Sequence, residues 1–156
     1  MNPWARHYAD ALTADLEDGE TLLGANRVVV VSASKVAVPD RSAVPGPRSA
    51  HVPRIGFRRP PILTARANGF ALPAKIFVLG VSDRRVLIWK STPMLARPQT
   101  LAASYPIHQI ASIRRRRRVG ATRVSIVLDS GALIVVQALW SRHLADLATA
   151  FTSVRS

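Results

Sequence analysis

Apolar residues recur along this chain with two different periods, and the switches between them outline the elements. Trp4, Tyr8, Leu12 and Leu16 come every fourth residue, behind Asn2-Pro3 and ahead of Gly19, which predicts an amphipathic N-terminal helix within residues 1–19. Its acids crowd the C-terminal turn, where the helix dipole disfavours them, so a partner or a basic surface nearby is expected to receive them. Residues 22–38 are rich in valine, continuous at 28–31, and read as one long strand or two short ones. Pro39, Pro45, Pro47, Pro53, Pro60 and Pro61, with Gly46 and Gly56, then oppose helix and central strand alike. A long Pro/Arg-rich loop insertion over 39–74 is expected.

From Lys75 the pattern is regular. Phe77, Leu79 and Val81 alternate on one strand face, Ser82-Asp83 breaks the run, and residues 86–90 return as the second arm of a hairpin. Residues 91–98 form another loop, and 101–105 and 107–113 are extended. Ile107, Ile110 and Ile113 are spaced by three, matching neither a clean strand nor a helix, which calls for a bulge or short turn near Gln109. Residues 122–128 alternate, Asp129-Ser130-Gly131 makes a tight turn, and 132–137 complete a hairpin. Trp140, Leu144, Leu147, Phe151 and Val154 lie on one face of a terminal helix, with Ser141 near its N-cap.

A chain of 156 residues, 48% hydrophobic, suffices for one domain with a real core. Its 22 basic and 9 acidic residues give +13, unevenly spread. Residues 1–20 hold five acids (Asp10, Asp15, Glu17, Asp18, Glu20) against Arg6, a local balance of 1 − 5 = −4, which leaves +17 on the remainder. Such a field favours nucleic acid, an acidic lipid surface or an acidic protein, though arginine-rich usage in a GC-rich genome raises the same number without any partner. The absence of cysteine excludes disulfides, thiolate metal sites and cysteine nucleophiles. No leader pattern opens the chain, and no apolar run approaches the roughly 18 residues of a membrane span. A soluble or peripheral cytoplasmic protein is expected, the peripheral case lying at the inner membrane face.

Two segments carry a family resemblance. Val81-Ser82-Asp83-Arg84-Arg85-Val86-Leu87-Ile88-Trp89, and then Tyr105-Pro106-Ile107-His108-Gln109-Ile110-Ala111-Ser112-Ile113, within strands closed by one helix, resemble the bacterial pleckstrin-homology-like (PH-like) domains. Those domains often show a T-D/N-x-R step into a strand and a P-x-x-x-I-x-x-I/V segment two strands later; here Ser82 stands in the threonine position. The resemblance covers residues 75–153, and 20–38 weakly. It implies a mainly β fold with helices, a bent antiparallel barrel or sandwich of about six or seven strands, one end plugged by the C-terminal helix. The chain then divides into the N-terminal helix, 1–19, and a single PH-like domain, 20–156.

Catalytic patterns are missing. His7, His51, His108 and His143 are scattered without metal-ligand spacing, and no serine lies in a G-x-S-x-G turn. After residue 40 the acids are Asp83, Asp129 and Asp146, the first two placed as turn formers. His143 and Asp146 fit a helical surface pair. No phosphate-cradling glycine motif occurs, so neither an enzyme nor a cofactor is expected.

Binding is better marked. Arg114, Arg115, Arg116, Arg117 and Arg118 are consecutive, inside folded-looking sequence rather than in a tail, and Val119-Gly120 follows them. In a strand, Arg114, Arg116 and Arg118 share one face while Arg115 and Arg117 take the other, so both faces cannot be core. A projecting basic hairpin follows; charged edges of this kind also serve merely to block strand pairing. The second basic zone, with Arg54, Arg58 and Arg59 around Phe57, suits contact with anionic headgroups, or is simply a linker. In eukaryotic relatives the loop after the first strand is a common phosphoinositide contact, so the resemblance implies the same for this zone.

Nucleic acid competes for the same arginines, but no aromatic lies within five residues of the run to stack on bases. A third alternative is a homo-oligomeric interaction domain in which Trp4, Tyr8, Leu12 and Leu16 dock a protein; bacterial relatives are often oligomeric. The expected function is a non-enzymatic binding or scaffolding module for acidic phospholipid or acidic protein.

Overall fold

Strands form wherever apolar and polar residues alternate or an apolar run is bounded by turn residues. The computed structural model of the chain describes residues 3–37, 59–95, 97–138 and 143–156, apart from the side chains of Arg117 and Arg118. Its strands are β1 (Leu22–Lys35), β2 (Ile76–Ser82), β3 (Arg85–Ser91), β4 (Pro98–Pro106), β5 (Ile110–Arg118), β6 (Ala121–Leu128) and β7 (Ala132–Ala138). They make one seven-stranded antiparallel sheet in the order β4-β3-β2-β1-β7-β6-β5. The mainly β expectation holds. The turn required by the three-residue isoleucine spacing is a 3-10 turn at Ile107–Gln109, between β4 and β5.

β1 lets one sheet enclose a core. Its first half pairs with β2, from Leu22↔Ser82 to Val29↔Ile76, and its second half with β7, from Val28↔Ala138 to Lys35↔Ala132. Register shifts between Leu22 and Gly24, and between Val30 and Ser32, add bend and twist. Phe77, Leu79, Val86 and Ile88 from one half meet Ile113, Val124, Ile126 and Val136 from the other in a single cluster.

A terminal helix packs on that cluster as the apolar spacing demands. Helix α4 (Leu144–Arg155) buries Leu144, Leu147 and Phe151 against β1, β2, β5 and β6. Each such side chain contributes about 1.5–3 kcal/mol before entropy is subtracted. The helix comes close to the sheet at Gly24, where an added Cβ would lie 3.2 Å from Leu147 Cδ2. His143 occupies the N-cap position; Trp140 and Ser141 lie outside the described residues. His143 Nδ1 and Asp146 Oδ2 form the expected surface pair at 3.3 Å.

The expected loop at 39–74 is corrected over its last part. Pro61 starts a helix, α3 (Pro61–Ala67), and Ala65, Phe70 and Leu72 join the main core. Proline at the first helical position loses no intrahelical bond and brings a suitable φ, so Pro60-Pro61 is here a start rather than a break. The Tyr105 hydroxyl accepts from the Ala71 amide at 2.6 Å and donates to the Gly69 carbonyl, fastening the segment after this helix.

The N-terminal helix is also corrected: it is two short helices, α1 (Pro3–His7) and α2 (Ala9–Thr13), interrupted at Tyr8, and Leu16 lies beyond both. The apolar face nevertheless docks. Leu12 is fully buried and Trp4, Tyr8 and Leu16 half-buried against Leu22, Ala25, Val78, Leu87 and Trp89. These residues lie on the sheet face opposite the main core, which is why β2 and β3 read as continuous apolar runs: both of their faces are covered.

Candidate anionic-surface interface

The basic run forms the outer strand of a ribbon. β5 lies at the sheet edge beside β6, in a register running from Ile110↔Leu128 to Arg118↔Ala121. Val119-Gly120 closes the hairpin, with Gly120 at φ +81, where glycine meets no Cβ penalty. β7 supports β6 only as far as the Arg123↔Gln137 pair, so among the described residues the last rungs are two-stranded. Among the described side chains, Ile113 is the last buried one on β5 and Val124 the first on β6. Arg114, Arg115 and Arg116 are all exposed, and the tip residue Val119 is 105% exposed. The strand therefore leaves the core inside the arginine run, as the two-faced charge requires. The backbones of Arg117 and Arg118 continue the ladder opposite Thr122 and Ala121.

Sequence reasoning missed Arg123, which pairs directly with Arg116. A two-residue turn at 119–120 pairs 118 with 121, and counting back two rungs from there would have placed 123 across from 116. The Arg123 Nε donates to Gln137 Oε1 at 3.0 Å. Among the described residues, no carboxylate pairs with Arg114, Arg115, Arg116 or Arg123.

Asp15, Glu17, Glu20 and Asp83 are used elsewhere, around the Ser82-Asp83-Arg84-Arg85 step. Arg85 donates to Glu20 through Nε at 3.0 Å and Nη2 at 2.8 Å, and its Nη2 also meets the Asp15 carbonyl at 2.9 Å. The Ser82 hydroxyl donates to Glu20 and accepts from the Arg84 and Arg85 amides. Asp83 accepts from the Thr21 amide at 2.9 Å, and Asp15 from the Trp89 indole at 2.9 Å. The Arg85 hydrogen bonds, working against the cost of burial, hold the Glu20 carboxyl down at about 2, while the same pairing raises Arg85. The basic surface that the N-terminal acids were expected to find is thus Arg84 and Arg85, and it is a fastening for the fold.

Arg54, Phe57 and Arg58 lie outside the described residues. Arg59 is exposed just before α3, which packs on β1 and β7. Arg66 is committed to the Leu72 and Pro73 carbonyls at 2.8 and 3.0 Å. Trp4, Tyr8, Leu12 and Leu16 were expected to serve a protein contact, and the contact they make is with the chain's own sheet.

An unforeseen apolar projection lies between β3 and β4. Met94 is 94% and Leu95 64% exposed. Arg27 holds this loop by donating to Ser91 Oγ and to the Thr92 and Pro93 carbonyls. The base of the ribbon borders an open cleft of about 1420 Å³ whose charged lining includes Asp83, Arg84, Arg114, Asp129 and Arg155.

Neither a protein-family model nor a curated protein matches the chain.

Proposed function

We propose that the protein is a non-enzymatic binding module of PH-like architecture that engages an acidic phospholipid surface through the β5–β6 ribbon. The observation that carries this reading is the ribbon itself: it leaves the core after Ile113, bears exposed Arg114, Arg115 and Arg116 and facing Arg123 with no carboxylate partner among the described residues, and ends on exposed Val119. Each basic residue near an acidic bilayer contributes about 1 kcal/mol, and an apolar tip gains by entering the headgroup layer. Nucleic acid is less well served. The nearest aromatic along the chain, Tyr105, is tied to Gly69 and Ala71 and stacked edge-on with Phe70, so it offers no free stacking platform.

The PH-like assignment draws support from the sharing of β1 between two halves of one antiparallel sheet and from the single C-terminal helix packed on their common core. No helix among the described residues is long and apolar enough to cross a membrane. On this reading the protein works as a peripheral component at the inner membrane face.

Cosedimentation with anionic and neutral vesicles, beside DNA and RNA shift assays at two salt concentrations, tests the proposal. Retention by anionic vesicles alone is expected. Tight nucleic-acid binding with a steep salt slope, and no vesicle retention, would overturn it.

A further inference from the structure

Arg116 and Arg123 face each other across the ribbon. Directly paired residues in an antiparallel ladder project to the same side with Cβ atoms about 5 Å apart, and like charges so placed repel. Gln137 extends the same row on β7 and its Oε1 accepts a partly buried hydrogen bond from Arg123 Nε, which leaves the two terminal nitrogens of that guanidinium as a fork. Two residues along β5, Arg114 lies opposite small Ser125, whose hydroxyl turns to the Arg114 carbonyl. Three arginines therefore share one face of the ribbon around a rung that repels itself and that no described carboxylate neutralises. Arg115 carries the same charge on the other face, opposite Val124.

We infer that Arg116 and Arg123, with Arg114 beside them, bracket a phosphate group, and that Gln137 is the positioning residue for Arg123. A phosphomonoester dianion answers this geometry best: its oxygens accept from two forks at once, and its double charge relieves the repulsion across the rung. The inference rests on the ribbon reading above and names the chemistry it selects, which a lipid headgroup or a soluble phosphate ester can supply.

The test uses the full chain with two vesicle types of matched surface potential, one containing phosphatidate and one phosphatidylserine, beside calorimetric titration with inositol hexakisphosphate. Two charge-assisted hydrogen bonds correspond to a preference for phosphatidate of about tenfold or more. The Arg116→Gln/Arg123→Gln double variant should abolish that preference, and it removes a like-charge pair, so its melting temperature should not fall. Gln137→Glu keeps an acceptor for Arg123 but places a carboxylate in the bracket, and should abolish the preference too. Arg115→Gln should weaken binding to both vesicles alike.

Equal binding to both lipids, or a preference surviving the double variant, overturns the bracket and leaves the acidic-surface reading standing. Binding of inositol hexakisphosphate through Arg116 and Arg123 without vesicle retention supports the bracket and overturns the membrane reading. Failure to bind any of the three overturns both.

Discussion

Arg85 closes on Glu20 from across the β2–β3 turn, and the carboxylate it holds has no exposed side-chain surface. With Asp15 fastened to Trp89, this pair ties the N-terminal segment to the sheet. A buried pair broken on one side leaves an uncompensated charge, which makes Glu20 a sensitive probe of the fold.

Glu20 titrates at about 2 in the folded protein against 4.5 for the free group. A depressed carboxyl contributes its full stabilisation above the unfolded value and loses it as pH falls from about 4.5 towards 2. The contribution is on the order of 3 kcal/mol. Glu20→Gln should lower stability at pH 7 by about 2–3 kcal/mol and flatten the loss between pH 5 and pH 3, as read from urea melts at each pH. A variant as stable as the parent, with the same acid slope, would remove the pair from the account.

Trp89 lies against Gly80 so closely that an added Cβ would sit 2.7 Å from its ring. Gly80→Ala should therefore cost about 1–3 kcal/mol through overpacking. In a Trp89→Leu background the same substitution should cost much less, and a double-mutant cycle by denaturant melting measures the coupling. Additive effects would contradict the close packing.

How much of this was legible in the sequence depends on where the determining contacts lie. Alternation at Phe77, Leu79 and Val81, and the turn at Asp129-Ser130-Gly131, are local signals and gave their strands directly. The three-residue spacing of Ile107, Ile110 and Ile113 likewise announced a turn. Pro60-Pro61 misled because the same ring chemistry that breaks a helix interior is tolerated at its start. The single N-terminal helix failed at Tyr8, where the face continues but the backbone leaves the helix, with φ −106 and ψ 20. Glu20 and Arg85 are 65 residues apart, so their pairing had no local signature. At the candidate site the five consecutive arginines were visible, while Arg123 required the hairpin register.

Phe151 tests the helix against the core. It is 4% exposed at the main cluster, so Phe151→Ala should destabilise by about 3–5 kcal/mol. Removal of residues 140–156 should abolish cooperative melting or cause aggregation. A soluble truncation with a sharp thermal transition would refute the role given to α4.

The most direct test of the central claim is the fraction of protein pelleted with anionic vesicles when serine replaces all five arginines at 114–118. Arg114, Arg115 and Arg116 are exposed beyond buried Ile113, so the variant should still melt cooperatively. Loss of vesicle retention in a folded variant is the predicted result; retention equal to that of the parent chain would contradict the ribbon as the binding surface.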